Sequence, residues 1–206
     1  MASSDAAAVE DLHDQIRRCR RCQLSRSRTK AVPGEGSLEA SVMFVGEAPG
    51  GDEDRQGRPF IGPAGRLLTN LLRTIGIDRK DVFITNIVKC RPPDNRDPLP
   101  EEIEACNEYL LTQIALITPK VICTLGRFAG QTLVDPKLAI SRDHGKATRL
   151  SGILYVPLYH PAAALHQARL IDTLESDMRR LKTILHQELA DSAGSRGAGG
   201  RGSRDG

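Results

Sequence analysis

Five cysteines stand in this 206-residue chain, and two of them, Cys19 and Cys22, are separated by only two residues. That spacing lets two thiolates face one metal centre and is shared by zinc and iron–sulfur sites. A second pair is available in Cys90 and Cys106, 16 positions apart, one opening a proline-rich loop and the other just inside the helix expected after it. Four thiolates close the shell of either metal, so spacing alone does not separate zinc from iron. Cys123, inside VICTLG, reads instead as a small buried hydrophobe. The chain opens with MASSDAAAVEDLHDQ, acidic and without an apolar stretch. No secretory leader is therefore expected, and in a reducing cytoplasm clustered thiols point to metal ligation rather than to disulfides.

Other chemistry-bearing residues fall in loops. GEAPGGDED follows an apolar run as a phosphate loop would, yet it has neither a Gly-Lys-Ser/Thr end nor a G-x-G-x-x-G spacing. Its glycines suit close backbone approach to a ligand. Among its carboxylates Glu47 is singled out, two residues past the last apolar position of the run. Phe60, in RPFIGPAG, lies outside any amphipathic pattern and suits either a loop anchor or a flat stacking platform for a base. Asn86 interrupts the apolar run FITNIV, and its amide offers a donor and an acceptor side by side, as the edge of a nucleobase requires. His160 directly follows LYVPLY and precedes Pro161, at another such rim.

The elements that must position these residues alternate. Residues 1–18 carry Val9, Leu12 and Ile16 at helical spacing, and 64–75 carry a second apolar stripe closed by Gly76. Pro100, Glu101 and Glu102 start a helix that runs to about Ile117, and helices are expected at 127–134 and at about 173–189. Between them lie four short apolar runs, at 40–46, 82–88, 121–126 and 153–159, each reading as a strand buried on both faces. This order predicts a three-layer α/β/α fold around a mostly parallel four-stranded sheet. Ligands of such sheets bind beyond the carboxyl ends of the strands, where Glu47, Asn86 and His160 all fall.

Composition sets the outer bounds. No apolar run approaches the roughly 20 residues needed to cross a bilayer, so no membrane role is expected. A formal net charge of +3 is too small to diagnose nucleic-acid binding, which must come from placement of charge. Residues 1–190 read as one domain, and 191–206, with six Gly, three Arg and no large apolar residue, as a disordered tail.

VGEAPGGDEDRQGRPFIGPAG, ITNIVKCRPPDNRDP and HPAAAL, taken with the four cysteines, resemble the type 4 uracil-DNA glycosylases over roughly residues 15–189. The resemblance implies a [4Fe-4S] cluster on Cys19, Cys22, Cys90 and Cys106, and a monomeric cytoplasmic enzyme acting on uracil-containing DNA. It implies hydrolysis of the uracil N-glycosidic bond after the nucleotide is flipped out of the stack. By motif, His160 would hydrogen-bond uracil O2, Glu47 would position the attacking water, and Asn95 would contribute to water placement. Asn86 would read O4 and N3, Phe60 would stack on the ring, backbone near Ala48 would contact the base, and Glu53 would crowd C5 against thymine. Leu165 would be the wedge that fills the vacated stack. After HPAAAL the chain reads HQARL, without the Arg often found there, which puts one phosphate contact in doubt. It also lacks the Lys-Arg-rich insertion of relatives that bond covalently to the abasic sugar. The competing class is a non-catalytic four-cysteine metal module that binds nucleic acid.

Overall fold

The computed structural model describes residues 2–197, with side chains described for 6–190. Its helices are α1 (Ala2–Arg18), α2 (Leu24–Ser27), α3 (Gly51–Gln56), α4 (Pro63–Thr74), α5 (Pro100–Ile117), α6 (Arg127–Leu133), α7 (Ile140–Asp143), α8 (Pro161–His166) and α9 (Arg169–Gly197). The strands are β1 (Glu35–Gly36), β2 (Val42–Gly46), β3 (Phe83–Asn86), β4 (Val121–Leu125), β5 (Thr148–Leu150) and β6 (Ile153–Leu158).

The sheet has six strands in the order β1-β3-β2-β4-β6-β5, which corrects the expected four. The inner four are the apolar runs and are mutually parallel, whereas β1 and β5 pair antiparallel with β3 and β6 at the two edges. Strands of two and three residues are too short to show a period in the sequence. The sheet is covered on both sides. Met43, Val45, Phe83 and Ile122 face α1 and α5, where Ile16, Leu110 and Ile114 meet them. Val42, Phe44, Ile84 and Cys123 point the other way, onto Leu68 and Leu72 of α4 and Leu174 and Leu181 of α9. Alternate residues of one strand thus serve two cores, which is why the runs are continuously apolar.

Local chemistry fixes the helices that frame the pocket. Pro63 at the first position of α4 supplies a preset φ, and Gly76 at φ +78° turns the chain away after it. In α5, Glu102 accepts from the Leu99 backbone N–H at 2.8 Å and from both terminal nitrogens of Arg96 at 2.9 and 2.7 Å. That carboxylate occupies an orphan donor of the first turn and favours the helix dipole.

The last helix starts beside α8 and passes to the amino ends of the strands, where Leu185 and Leu189 line a groove with Ser41, Val42 and Val82. Its backbone continues to Gly197, beyond the expected end near Leu189, so the first residues of the expected tail are helical. The rest of that tail, 198–206, lies outside the described residues. Among the described residues no helix is long and apolar enough to cross a membrane.

Candidate active site

One cavity of about 430 Å³ opens beyond the carboxyl ends of the parallel strands. Glu47, Ala48, Glu53, Phe60, Asn86, Asn95 and His160 all line it, drawn from five separate segments of the chain. Pro49, Gly50, Ala64, Pro92, Arg96 and Ala162 complete the wall. Leu165 does not line it: this side chain is half exposed on α8, five residues past His160.

Asn86 is the last residue of β3 and pairs with Gly46 across the β2–β3 ladder. It is 1% exposed, and its Oδ1 is enclosed with no hydrogen-bond partner among the described residues. A buried acceptor left unpaired costs about 1–3 kcal/mol, so such an atom marks a place for a ligand's donor. Gly46 makes the room: a Cβ there would lie 2.5 Å from that Oδ1 and 2.5 Å from Cζ of Phe60.

His160 caps α8, its Nδ1 accepting from the Ala162 backbone N–H at 3.1 Å. An accepting Nδ1 carries no proton, so the neutral ring keeps its hydrogen on Nε2 and presents it as a donor. Burial holds the imidazole down at about 4, against a small opposing pull from Glu53, so the ring is neutral at physiological pH. Its centroid lies 5.5 Å from that of Phe60. Gly126, at φ +88°, lets the β4 turn pass close: a Cβ there would stand 3.1 Å from the Cβ of His160.

Glu47 follows β2, its carbonyl accepting from Val88 N–H at 3.1 Å. Burial pushes its carboxyl up to about 7, with Asp97 adding to the rise and Arg127 opposing it. A carboxylate poised near neutrality suits a group that must accept a proton from water. Asn95 sits beside Asp94 in a tight turn, the two at φ +55° and +54°, and its Oδ1 accepts from Arg91 Nε at 2.8 Å. Glu53 spends Oε1 on the backbone N–H groups of Ile61 and Gly62, at 2.9 and 2.8 Å, tying α3 to the loop that carries Phe60.

The four cysteines come together at a corner outside this cavity's lining. Cys19 and Cys22 pack against the core that contains Cys90 and Cys106. Cys90 lies within electrostatic reach of Cys106 and Cys22, and Cys106 of Cys22 and Cys19. Cys123 lies apart, in the core on the opposite face. Three sulfurs accept N–H donors: Cys90 from Arg28 Nη1 at 2.9 Å, Cys19 from the Arg21 backbone at 3.4 Å and Cys106 from the Lys89 backbone at 3.5 Å. Arg28 also donates to the carbonyls of Arg17 and Cys19, which fastens the end of α1 to the loop after β3. Among the described residues no three His, Cys, Asp or Glu side chains gather about one point as around a single ion.

Two residues near these sites gave no signal in the sequence. Lys89 looks like a surface lysine at the end of a strand but is 1% exposed, its Nζ donating at 2.7 Å to Thr85 Oγ1, the Asn86 carbonyl and Gln113 Oε1. Arg28 reads as one of several arginines in a polar stretch, and only the fold brings it to Cys90.

A family profile, that of the uracil DNA glycosylase superfamily, matches residues 33–183. The chain belongs to that superfamily. Within it the likeness falls on the type-4 branch. A type-4 uracil-DNA glycosylase of Archaeoglobus fulgidus is 46% identical over 182 residues, 84% of this chain and 92% of that protein. One from Saccharolobus solfataricus is 49% identical over 181 residues, 84% of each chain. A type-5 uracil-DNA glycosylase of Thermus thermophilus is 36% identical over 120 residues, 51% of this chain and 54% of that one. In this superfamily member the matched span contains the whole cavity lining, whereas Cys19 and Cys22 lie before it.

Proposed function

We propose that this chain hydrolyses the N-glycosidic bond between uracil and deoxyribose in DNA, releasing free uracil and leaving an abasic site. The observation that carries the reading is the buried, unpaired Oδ1 of Asn86 in the cavity wall. Uracil N3–H is the donor that such an acceptor lacks, and the amide nitrogen beside it faces O4 as a donor.

Each remaining residue then has a chemical task. The target nucleotide leaves the stack, at a cost of a few kcal/mol, and enters the cavity of about 430 Å³, which has room for a base. Phe60 forms the platform under the ring, and backbone near Ala48 meets its edge. As the bond breaks, negative charge gathers on uracil O2 and positive charge on the sugar. The Nε2–H of His160 donates to O2; a neutral imidazole does this without delivering a full proton to the leaving group. Glu47, as carboxylate, orients the water that attacks C1′ and takes its proton, and Asn95 helps to hold that water. Glu53 walls the pocket toward C5 and excludes the thymine methyl. Leu165, half exposed on α8, fills the gap left by the flipped base.

Cys19, Cys22, Cys90 and Cys106 would hold a [4Fe-4S] cluster. Thiols near enough to interact, three of them accepting N–H donors, suit a thiolate-held cluster, whose sulfurs are tuned by such bonds. Ligated by four thiolates, such a cluster would offer no open coordination position, and it would pin α1 to the loop after β3. A metal module without catalysis has no use for Glu47, Asn86 and His160 converging on one cavity.

The test is incubation of the purified chain with oligonucleotides identical except for one uracil, cytosine or thymine, followed by alkaline cleavage of abasic sites. Cleavage at uracil alone is expected, and no cleavage at uracil would sink the proposal.

A further inference from the structure

Phe60 stands at φ +49°, a left-handed backbone that a bulky side chain holds only when its surroundings impose it. Part of the constraint is steric: a Cβ on Gly65 would lie 1.8 Å from the Phe60 carbonyl oxygen, so only glycine lets α4 pass that close. The other part is a single guanidinium. Arg79, from the turn before β3, donates Nη2 to the Pro59 carbonyl at 2.6 Å and Nη1 to the Phe60 carbonyl at 3.0 Å. It also donates Nε and Nη2 to Oε1 of Glu35, both at 3.3 Å. Glu35 belongs to the short edge strand β1, and Arg58 donates to both of its oxygens, Nε to Oε2 at 2.6 Å and Nη2 to the shared Oε1 at 3.1 Å. Arg79 is 19% exposed and Glu35 28%, so the pair is shielded in a way the outer Arg58, at 59%, is not. A planar fork with donors on several edges suits two adjacent carbonyls and one carboxylate together; an ammonium does not reproduce it.

We infer that Arg79, anchored by Glu35, is a positioning residue for base stacking. It fixes the peptide of Phe60 in the left-handed conformer and so sets the plane of the ring, without touching the base. The inference rests on the stacking role proposed for Phe60. It also gives β1 a purpose: two residues of strand hold the carboxylate that holds the arginine.

The test is a double-mutant cycle on the full chain, read as the single-turnover rate of uracil excision at saturating enzyme. Phe60→Ala should slow excision by about tenfold or more, as loss of a stacking face does. Arg79→Ala should slow it by about five- to tenfold, and in the Phe60→Ala background should add less than about twofold, because the residue acts only through the ring. Arg79→Lys, the variant to use if the alanine form does not fold, should fall between parent and Arg79→Ala. Affinity for the same oligonucleotide carrying an abasic site, which has no base to stack, should stay within about twofold of the parent throughout. Lys80→Ala, which removes the exposed cation next to Arg79, is the control and should leave the rate unchanged. Losses that multiply in the double variant would overturn the inference, since Arg79 would then act independently of the ring. If Phe60→Ala is slow but Arg79→Ala and Arg79→Lys run at the parental rate, the stacking role stands and the inference fails. If Phe60→Ala itself runs at the parental rate, both fall.

Discussion

The cysteine corner and the pocket both lie just beyond the carboxyl end of β3, and they treat their polar atoms in opposite ways. At the corner, three of the four sulfurs accept an N–H, and Arg28 spends donors on Cys90 and on two backbone carbonyls. In the pocket, among the described residues, Asn86 Oδ1 has no partner, His160 spends its Nδ1 on the backbone and keeps Nε2–H as its donor, and partial burial of Glu47 raises its carboxyl. A region saturated from within holds its contents still. One left unsaturated has stability to recover when a ligand arrives, and it can recover most from the charge distribution of a transition state. Hydrogen bonding therefore separates a structural group from a reacting site even where both use titratable side chains that are partly or fully buried.

The sharpest way to break this contrast is to open the corner. Cys90→Ser should lose bound iron and most soluble, folded protein, whereas Cys123→Ser should keep both, read by iron content and visible absorbance. A colourless, fully active Cys90→Ser protein would make the corner dispensable. In the pocket, His160→Ala should slow single-turnover excision by about tenfold to a thousandfold with DNA affinity little changed, the pattern of a donor used only in the transition state. Equal losses of binding and rate would move His160 to the structural side of the comparison.

Asn86→Asp is the next largest change. It should lower uracil excision by about five- to a hundredfold, since an amide donor toward O4 is replaced by an acceptor. It should also yield slow cytosine excision, because the new oxygen accepts from the cytosine N4 amino group. Uracil excision at the parental rate would show that the orphaned oxygen is not the reader. The smallest effect is electrostatic. Glu47 must be ionised to take a proton from water, and its carboxyl is raised to about 7, so the single-turnover rate should fall by about tenfold per pH unit below that value and level off above it. His160 loses its neutral form only near 4 and leaves this limb untouched. Asp97→Asn removes a like charge and frees Arg127, which Asp97 holds at 3.3 Å, so the limb should move to lower pH. At pH 6 that variant should be about threefold faster than the parent.

Much of this arrangement is written in short-range pattern. The inner strands are legible because a strand buried on two faces must be apolar at every position, and the cysteines because a Cys-x-x-Cys spacing has few other uses. Glu47 and His160 stand out by position, each at the rim where an apolar run stops, and Asn86 by being an amide that interrupts one. The edge strands β1 and β5 escape because two or three residues carry no period. Arg79 and Lys89 escape for a different reason. In GIDRKD and in NIVKC a cation reads as solvated surface, and only tertiary contacts supply the carbonyls that justify burying it.

The long final helix has a practical consequence. From Arg169, beside the pocket-side helix α8, to Leu189, at the amino ends of the strands, it spans roughly 30 Å at 1.5 Å per residue. Its two ends thus stand at opposite poles of the molecule. A dye, a tether to a surface or a fused reporter attached past Leu189 would leave the DNA-facing pole free, so single-molecule work on scanning should anchor the protein there.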